Sequence, residues 1–368
     1  MVGFSTFDHE CMTRALRLAE RGLNSTDPNP RVGCVMASGE RMIGQGWHRR
    51  AGQAHAEIHA LREAGSEARG STAYVTLEPC SYQGRTASCA NALIKAGVSR
   101  VVVATRDPNP RVDGAGFKML EDSGIQVETG LLEKESEELN RGFSTRMRLG
   151  RPWVRVKLAL SLDGRTALAG GDSQWISSDA SRQDVQAWRA RSSAVMTGIG
   201  TVLADDPSLN VRIGDQQRQP LRLIVDSAWR TPAQAKTLQL PGEVVIAGCA
   251  SNEVPGSLRS GSVKLLALGE DPQGRVDLHE LMAALAAMEI NELQLESGAA
   301  LGGALLNEAL VDELLVYQAP VILGSGARDA FATRVLDDMQ DRIELNCIES
   351  IRTGPDLRSI FRFTEHVS

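Results

Sequence analysis

Twice along the chain, short runs of aliphatic and β-branched residues alternate with stretches of helical period, a pattern that α/β layering buries. In the first run, residues 9–21 carry Met12, Leu16 and Ala19 on one helical face and stop at Gly22. A turn, Asp27-Pro28-Asn29-Pro30, leads to an apolar run at 32–36, a helix over 55–64, a strand over 72–77, a helix over 89–96 and a strand over 100–105. Helices at 117–123 and 132–140 flank a short strand at 125–128. Residues 146–152 (RMRLGRP) are polar and contain glycine and proline, which reads as a linker. Strand runs then recur at 153–160, 221–225, 244–247, 292–296 and 314–319, separated by helical stretches. The expectation is two α/β domains, 1–148 and 149–368, which suits a 368-residue chain.

With 42% hydrophobic residues the chain can build a core, so wholesale disorder is excluded. No stretch reaches the 18 or so apolar residues of a membrane span, and MVGFSTFDHECMTRA lacks the pattern of a secretory signal; a cytoplasmic location is expected. The formal charge is −6, and Arg49-Arg50 and Arg146-Met147-Arg148 are too short to form a basic stripe. Neither a nucleic-acid nor a membrane partner is therefore expected. Six cysteines over this length are not a disulfide framework. The hexapeptide DPNPRV occurs at 27–32 and 107–112, but the flanks differ, so it reads as two similar turns.

His55-Ala56-Glu57 is followed by Glu78-Pro79-Cys80 and then Cys89. One imidazole and two thiolates suit a borderline-soft ion such as zinc, and three protein ligands leave a fourth position open for water. Glu57, two residues past the histidine, can face that position without ligating and move a proton. Cys89 opens a helix, whose N-terminus favours a thiolate. The ordered set matches the signature of zinc-dependent nucleobase deaminases, with one departure. Eight residues separate the cysteines where two are usual. His59, one turn past His55, reads as a surface or supporting group.

TLEPCSYQGRTASC, with AHAEIHAL and DPNPRVGCV upstream, resembles the deaminase half of the bifunctional riboflavin biosynthesis deaminase–reductases. The resemblance implies a cytidine-deaminase-like three-layer sandwich holding one Zn2+ per chain through His55, Cys80 and Cys89, with Glu57 catalytic. It implies that Arg85, in the long loop, meets the ribose phosphate and that Asn29 and His48 hold the pyrimidine.

In the second half, KLALSLDGRTALAGGDSQWISS, TVLADDPSLNVR and LQLESGAALGGALLNEALVDELLVY resemble the reductase half of the same family. The resemblance covers nearly all of the chain and fades after about residue 340. It implies a dihydrofolate-reductase-like domain using NADPH. Ala159, Trp175, Thr201, Asp205, Ser227 and the segment Gly298, Ala299, Ala300, Leu301, Gly302, Gly303, Ala304 would line the cofactor. Lys157, Ser173, Arg189, Leu209, Arg212 and Glu296 would face the substrate, with Arg189 and Arg212 as phosphate holders because guanidinium forks match that geometry. Read from the residues alone, Gly302-Gly303 opens a helix over 304–309 and lets backbone amides approach a pyrophosphate, although the G-x-G-x-x-G fingerprint is missing. Close helix–sheet packing explains these glycines equally well; Trp175 suits a core, and Asp205-Asp206-Pro207 suits a helix stop.

The reading is of an enzyme with two consecutive steps of riboflavin synthesis. Hydrolysis of the 2-amino group of 2,5-diamino-6-ribosylamino-4(3H)-pyrimidinone 5′-phosphate precedes reduction of the ribosyl to a ribityl chain. The expected partner is that small pyrimidine ribose phosphate, bound by a homo-oligomer. Two other readings share parts of the pattern. A nucleoside or tRNA deaminase with an appended domain shares the zinc set, and a non-enzymatic zinc and nucleotide module would close the metal with a fourth protein ligand.

Overall fold

A computed structural model describes residues 3–81, 88–214, 218–259 and 263–363. The chain forms two compact units, Met1–Arg151 and Pro152–Ser368. Among the described residues no helix is long and apolar enough to cross a membrane.

The first unit runs α1 (Thr6–Glu20), β1 (Gly33–Ser38), β2 (Arg41–Trp47), α2 (Ala56–Ala64), β3 (Thr72–Leu77), α3 (Cys89–Ala96), β4 (Arg100–Thr105), α4 (Ala115–Asp122), β5 (Gln126–Thr129), α5 (Glu133–Leu139) and α6 (Arg141–Leu149). Its five strands are ordered β2-β1-β3-β4-β5, with β1 antiparallel to both neighbours and β3, β4 and β5 parallel. Strand alternation separates two cores. Cys34, Met36, Val75, Val101 and Val103 pack with residues of α2, α3 and α4 on one face, whereas Val35, Ala37, Tyr74, Val102 and Ala104 meet Cys11, Met12, Ala15 and Leu18 of α1 on the other. That is a three-layer sandwich. At the start of α1, Ser5 and Asp8 form a reciprocal capping box. Asp8 is buried and also takes hydrogen bonds from Tyr74 Oη and Arg100 Nη1, both at 2.7 Å, which tie the helix to the sheet.

In this unit two elements depart from the sequence reading. Glycines blur the alternation of β2, because α2 lies so close that a Cβ at Gly44 would sit 2.4 Å from the Ala60 carbonyl oxygen. One at Gly46 would sit 2.5 Å from that of Ala56. The supposed linker at 146–152 is mostly helix, since α6 is anchored by buried Gly142, Phe143 and Ser144 and stops only at Gly150 in the left-handed region (φ 64°). Its polar exposed end resembles a linker in sequence, and the units part between Arg151 and Pro152.

The second unit runs β6 (Trp153–Leu160), β7 (Arg165–Ala167), α7 (Asp179–Arg191), β8 (Ala194–Gly198), α8 (Ile199–Asp205), β9 (Leu221–Val225), α9 (Lys236–Gln239), β10 (Val244–Cys249), α10 (Gly256–Arg259), β11 (Lys264–Leu268), α11 (Leu278–Ala287), β12 (Glu292–Leu295), α12 (Ala299–Asn307), β13 (Glu313–Gln318), β14 (Arg328–Asp329), β15 (Leu345–Thr353) and β16 (Asp356–Phe363). Nine strands form one sheet, β11-β10-β9-β8-β12-β6-β13-β16-β15. The first seven in that order are parallel, and β16 and β15 are antiparallel. One face of β6, β12 and β13 carries Val154, Val156, Leu158, Leu293, Leu295 and Leu314 into the large apolar core.

The opposite face is charged. Arg155 is fully buried between Glu313 (Nε to Oε1, 2.6 Å) and Glu292 (Nη2 to Oε2, 3.2 Å), its guanidinium 4.4 Å from the Trp188 ring centre. Arg191 and Arg362 pair with the same two carboxylates from the margins. Arg155→Met would leave Glu313 and Glu292 buried beside a side chain with no donor. Unfolding of the second unit in urea should become easier by roughly 3–5 kcal/mol. A loss under about 1 kcal/mol would mean that the marginal arginines compensate fully.

Candidate functional site

The first unit gathers its reactive groups at helix starts and strand ends. His55 is the residue preceding the first turn of α2, which places Glu57 within that turn, buried. Cys80 follows β3, and Cys89 is the first residue of α3, behind Ser88, whose Oγ accepts from the Asn91 amide. His55 Nδ1 lies 3.2 Å from Cys89 Sγ and 3.7 Å from Cys80 Sγ, and all three ligand atoms fall within 4.8 Å of one another. A tetrahedral zinc ion, with bonds of about 2.0 Å to nitrogen and 2.3 Å to sulfur, sets such atoms roughly 3.5–3.8 Å apart. The donor set therefore fits that ion. The Cys89 backbone N–H donates to Cys80 Sγ at 3.4 Å. The Cys89 thiol, followed by the His55 ring, holds Cys80 well below the usual thiol range, while sharing that proton and burial push Cys89 up.

Burial pushes the Glu57 carboxyl up, and its Oε2 is buried with no hydrogen-bond partner among the described residues. An orphaned acceptor beside a three-donor cluster is a place prepared for a ligand proton. His48 is buried; its Nδ1–H donates to the Ala54 carbonyl at 3.2 Å, so Nε2 is the acceptor facing Asn29 Nδ2 at 3.1 Å. Burial lowers His48 to about 4, so the ring is neutral at neutral pH. It meets the His55 ring edge-on, with centroids 5.2 Å apart. The turn that presents Asn29 is clamped from α5's end: the Asn140 side chain takes the Arg31 N–H (2.7 Å) and donates to the Arg31 carbonyl (2.9 Å). Arg85 lies outside the described residues, and His59 does not join the three-donor cluster.

Sequence reasoning missed two carboxylates here. Glu78, in the Glu-Pro-Cys run, accepts from the backbone N–H groups of Asp107, Gly114 and Gly116, and so pins the loop after β4 beside Cys80. Asp107 is buried in that loop, and burial pushes its carboxyl up to about 6. The second DPNPRV copy thus borders the site, a placement made by the fold and invisible in its local sequence.

In the second unit a cleft of about 1290 Å³ opens at the carboxyl ends of the parallel strands, where open α/β sheets bind ligands. Lys157 and Ala159 come from β6, Gly198 from β8, Ser227 from the turn after β9 and Glu296 from the end of β12. Arg189 grips Glu296 with two bonds, Nε to Oε1 at 2.7 Å and Nη2 to Oε2 at 2.9 Å, and donates Nη1 to the Asn210 carbonyl. Burial alone would raise Glu296, but the charges of Arg189 and Lys157 hold it at about 2. Lys157 Nζ is 4.0 Å from Glu296, and burial lowers its pKa. The fork of Arg189 is thus committed to Glu296, which departs from the phosphate-holding expectation; among the described residues the Arg212 guanidinium donates to Ser208 and Asn210.

All six substrate-facing candidates line the cleft, as do Trp175, Thr201, Asp205 and Ser227. Trp175 is 68% exposed with Arg182 stacked on it, so it is no core residue. The helix at the glycine-rich segment begins earlier than the sequence suggests: α12 starts at Ala299 with Gly298 before it. Gly298, Ala299, Ala300, Leu301 and Ala304 line the cleft, while Gly302 and Gly303 do not. They face a neighbouring segment instead, where a Cβ on Gly303 would sit 2.3 Å from the Ala332 carbonyl oxygen and one on Gly302 3.4 Å from Phe331. Close packing is their role.

Residues 152–358 match the family described as the RibD C-terminal domain, and residues 5–105 match the cytidine and deoxycytidylate deaminase zinc-binding region. Riboflavin biosynthesis protein RibD of Escherichia coli (strain K12) is 47% identical over 364 residues, covering 95% of this chain and 98% of its own. Its Haemophilus influenzae counterpart is 43% identical over 372 residues, covering 97% and 98%. The solved structure of Acinetobacter baumannii RibD, form 1, superposes with a TM-score of 0.90 at 44% identity, covering 98% of this chain and 99% of that one. A Thermotoga maritima diaminohydroxyphosphoribosylaminopyrimidine deaminase/5-amino-6-(5-phosphoribosylamino)uracil reductase gives 0.86 at 30%, covering 97% and 99%. The chain belongs to the RibD family of bifunctional riboflavin biosynthesis enzymes, which join a zinc-dependent pyrimidine deaminase to an NADPH-dependent reductase.

Proposed function

We propose that His55, Cys80 and Cys89 hold the zinc ion and that Glu57 carries the proton in hydrolysis of the pyrimidine 2-amino group. The observation that carries this is the orphaned buried Oε2 of Glu57 beside three donor atoms at tetrahedral spacing. Zinc, when bound, supplies a water polarised enough to be deprotonated near neutral pH. Glu57 takes that proton and, as the water's oxygen bonds to C2, delivers it to the departing nitrogen, so that the C2–N bond breaks and ammonia leaves. Asn29 and neutral His48 orient the ring, His48 with its tautomer set by Ala54. Arg85 is assigned to the ribose phosphate on resemblance alone.

In the second unit NADPH, when bound, supplies a hydride to C1′ of the ribose. Ala159, Trp175, Thr201, Asp205, Ser227 and the start of α12 receive the nucleotide, with the first amides of that helix toward its pyrophosphate. Lys157 and Glu296 face the sugar, Arg189 fixes Glu296, and Arg212 meets the phosphate, with Ser173 and Leu209 on the wall. We also take the chain to be a homo-oligomer. Its edge strand β15 is exposed along nearly its whole length and presents Ile348 and Ile351. Sedimentation as a monomer at micromolar concentration would count against it.

Cys80→Ser and Cys89→Ser each replace a thiolate by a hydroxyl that stays protonated at neutral pH, so metal analysis of the purified proteins should show zinc lost together with deamination. Full zinc content in either variant would remove that residue from the ligand set. Glu57→Gln keeps size and shape but cannot exchange a proton. Zinc content should remain near wild type while ammonia release falls roughly 10²–10⁴-fold. Reduction of the deaminated intermediate, followed at the nicotinamide absorbance, should be nearly unchanged. Retained deamination would take Glu57 out of the mechanism, and lost zinc would make it structural.

A further inference from the structure

Sheet order divides the reductase cleft into two ends. Lys157 and Glu296 sit at β6 and β12, whereas Ser227 follows β9, two strands beyond β12 with β8 between. At about 4.8 Å per strand that is a lateral offset of roughly 10 Å. With the nicotinamide beside the sugar at Lys157 and Glu296 and the pyrophosphate at the start of α12, the adenosine ribose falls toward Ser227. At that end the cleft wall is completed by Asp271, Arg275, Val276 and Leu278. The Val276 N–H donates to Ser227 Oγ at 3.1 Å, which fastens this turn to the end of β9.

An unengaged carboxylate here would favour the 2′-hydroxyl of NADH and repel a phosphate. Asp271 is not available for that. Its Oδ1 accepts the backbone N–H groups of Gln273 and Arg275, both at 2.9 Å, and its Oδ2 accepts Arg275 Nε at 2.9 Å, with Nη2 in ion-pair contact at 2.8 Å. Gln273 Oε1 takes a further bond from Nη2 at 3.0 Å. The guanidinium is thereby held flat against its own turn, and Nη1 has no partner among the described residues. An oriented guanidinium with an open edge is what a phosphate monoester requires.

We propose that Arg275, braced by Asp271, binds the 2′-phosphate of the adenosine ribose and is the residue that distinguishes NADPH from NADH. The proposal rests on the reductase reading given above. Neither the substrate-facing arginines nor Ser227 can make this discrimination, since Arg189 and Arg212 belong to the sugar end and Ser227 carries no charge.

The test is direct nucleotide binding to the full-length chain, with dissociation constants for NADPH and NADH from isothermal calorimetry. The chains compared are wild type, Arg275→Ala, Arg275→Glu and Lys236→Ala. Arg275 is 56% exposed on a turn, so its variants should fold, with unchanged melting temperatures as the check. Arg275→Ala should weaken NADPH about tenfold, the scale of one charged hydrogen bond, and leave NADH within about twofold. Arg275→Glu should weaken NADPH further and still spare NADH. Equal weakening of both nucleotides, no change in either, or loss of discrimination in Lys236→Ala alone would overturn the assignment to Arg275, as would a wild type without preference. A wild type that binds neither nucleotide would overturn the reductase reading itself, a result distinct from an Arg275 variant that keeps its preference.

Discussion

Charge buried beneath α7 sets the strand register on which the reductase unit depends. Arg155 of β6 stands opposite Glu313 of β13 and Gln294 of β12, and two residues on, Lys157 stands opposite Leu315. Slipping either pairing by one residue would turn these side chains into the apolar core that holds Val154, Val156 and Leu293, and would bring valines and leucines under Trp188. A buried cluster of this kind adds little net stability over an apolar one, but it penalises every wrong register heavily. The alternation that hides Arg155 and Glu292 continues to the carboxyl ends of the strands, where Lys157 and Glu296 emerge on the same face. Their placement in the cleft is thus a consequence of the register, four residues along β12 and two along β6 from the buried pairs.

The deaminase unit depends on close approach instead. α2 can bring His55 and Glu57 to the sheet because β2 offers glycines at 44 and 46, where any Cβ would collide with α2's backbone. Gly33 plays the same part for α1, its missing Cβ coinciding with the Ala15 carbonyl region at 1.9 Å. The first amide of α3, that of Cys89, meets Cys80 beyond the carboxyl end of β3. The low position of Cys80 follows from the Cys89 thiol, the His55 ring and the Cys89 backbone N–H, which together outweigh the opposing effect of burial.

What was legible in the sequence tracks how local its cause is. Strands β3, β4 and β9 and helix α3 lie where their residues indicate, since short, largely apolar runs of strand-forming residues and a helix-opening cysteine need no tertiary information. The His–Glu and Cys–Cys pattern was legible because metal chemistry restricts residue type. β2 was lost to glycines whose purpose is visible only from α2, and β15 to the absence of any buried face. Arg189 reads as a phosphate ligand from its chemistry, yet Glu296 lies 107 residues away in sequence and claims its fork. Asp107 and Asn140 escaped for the same reason: each acts through a partner that only the fold supplies.

The overall acidity and the anionic substrates are reconciled by local arrangement. The chain carries −6, yet the reductase cleft is lined by seven basic and five acidic side chains. A cleft with low-dielectric walls concentrates the field of the few cations it contains. The acidic members do not simply cancel that field. Glu296 and Asp271 each grip an arginine through two of its nitrogens, which removes the rotational freedom a long side chain would otherwise lose on meeting a phosphate or sugar. Asp271 lowers the net charge of the cleft but orients the guanidinium it grips, whereas Glu296 takes the fork of Arg189 for itself, so residue counts alone do not describe what the cleft can hold.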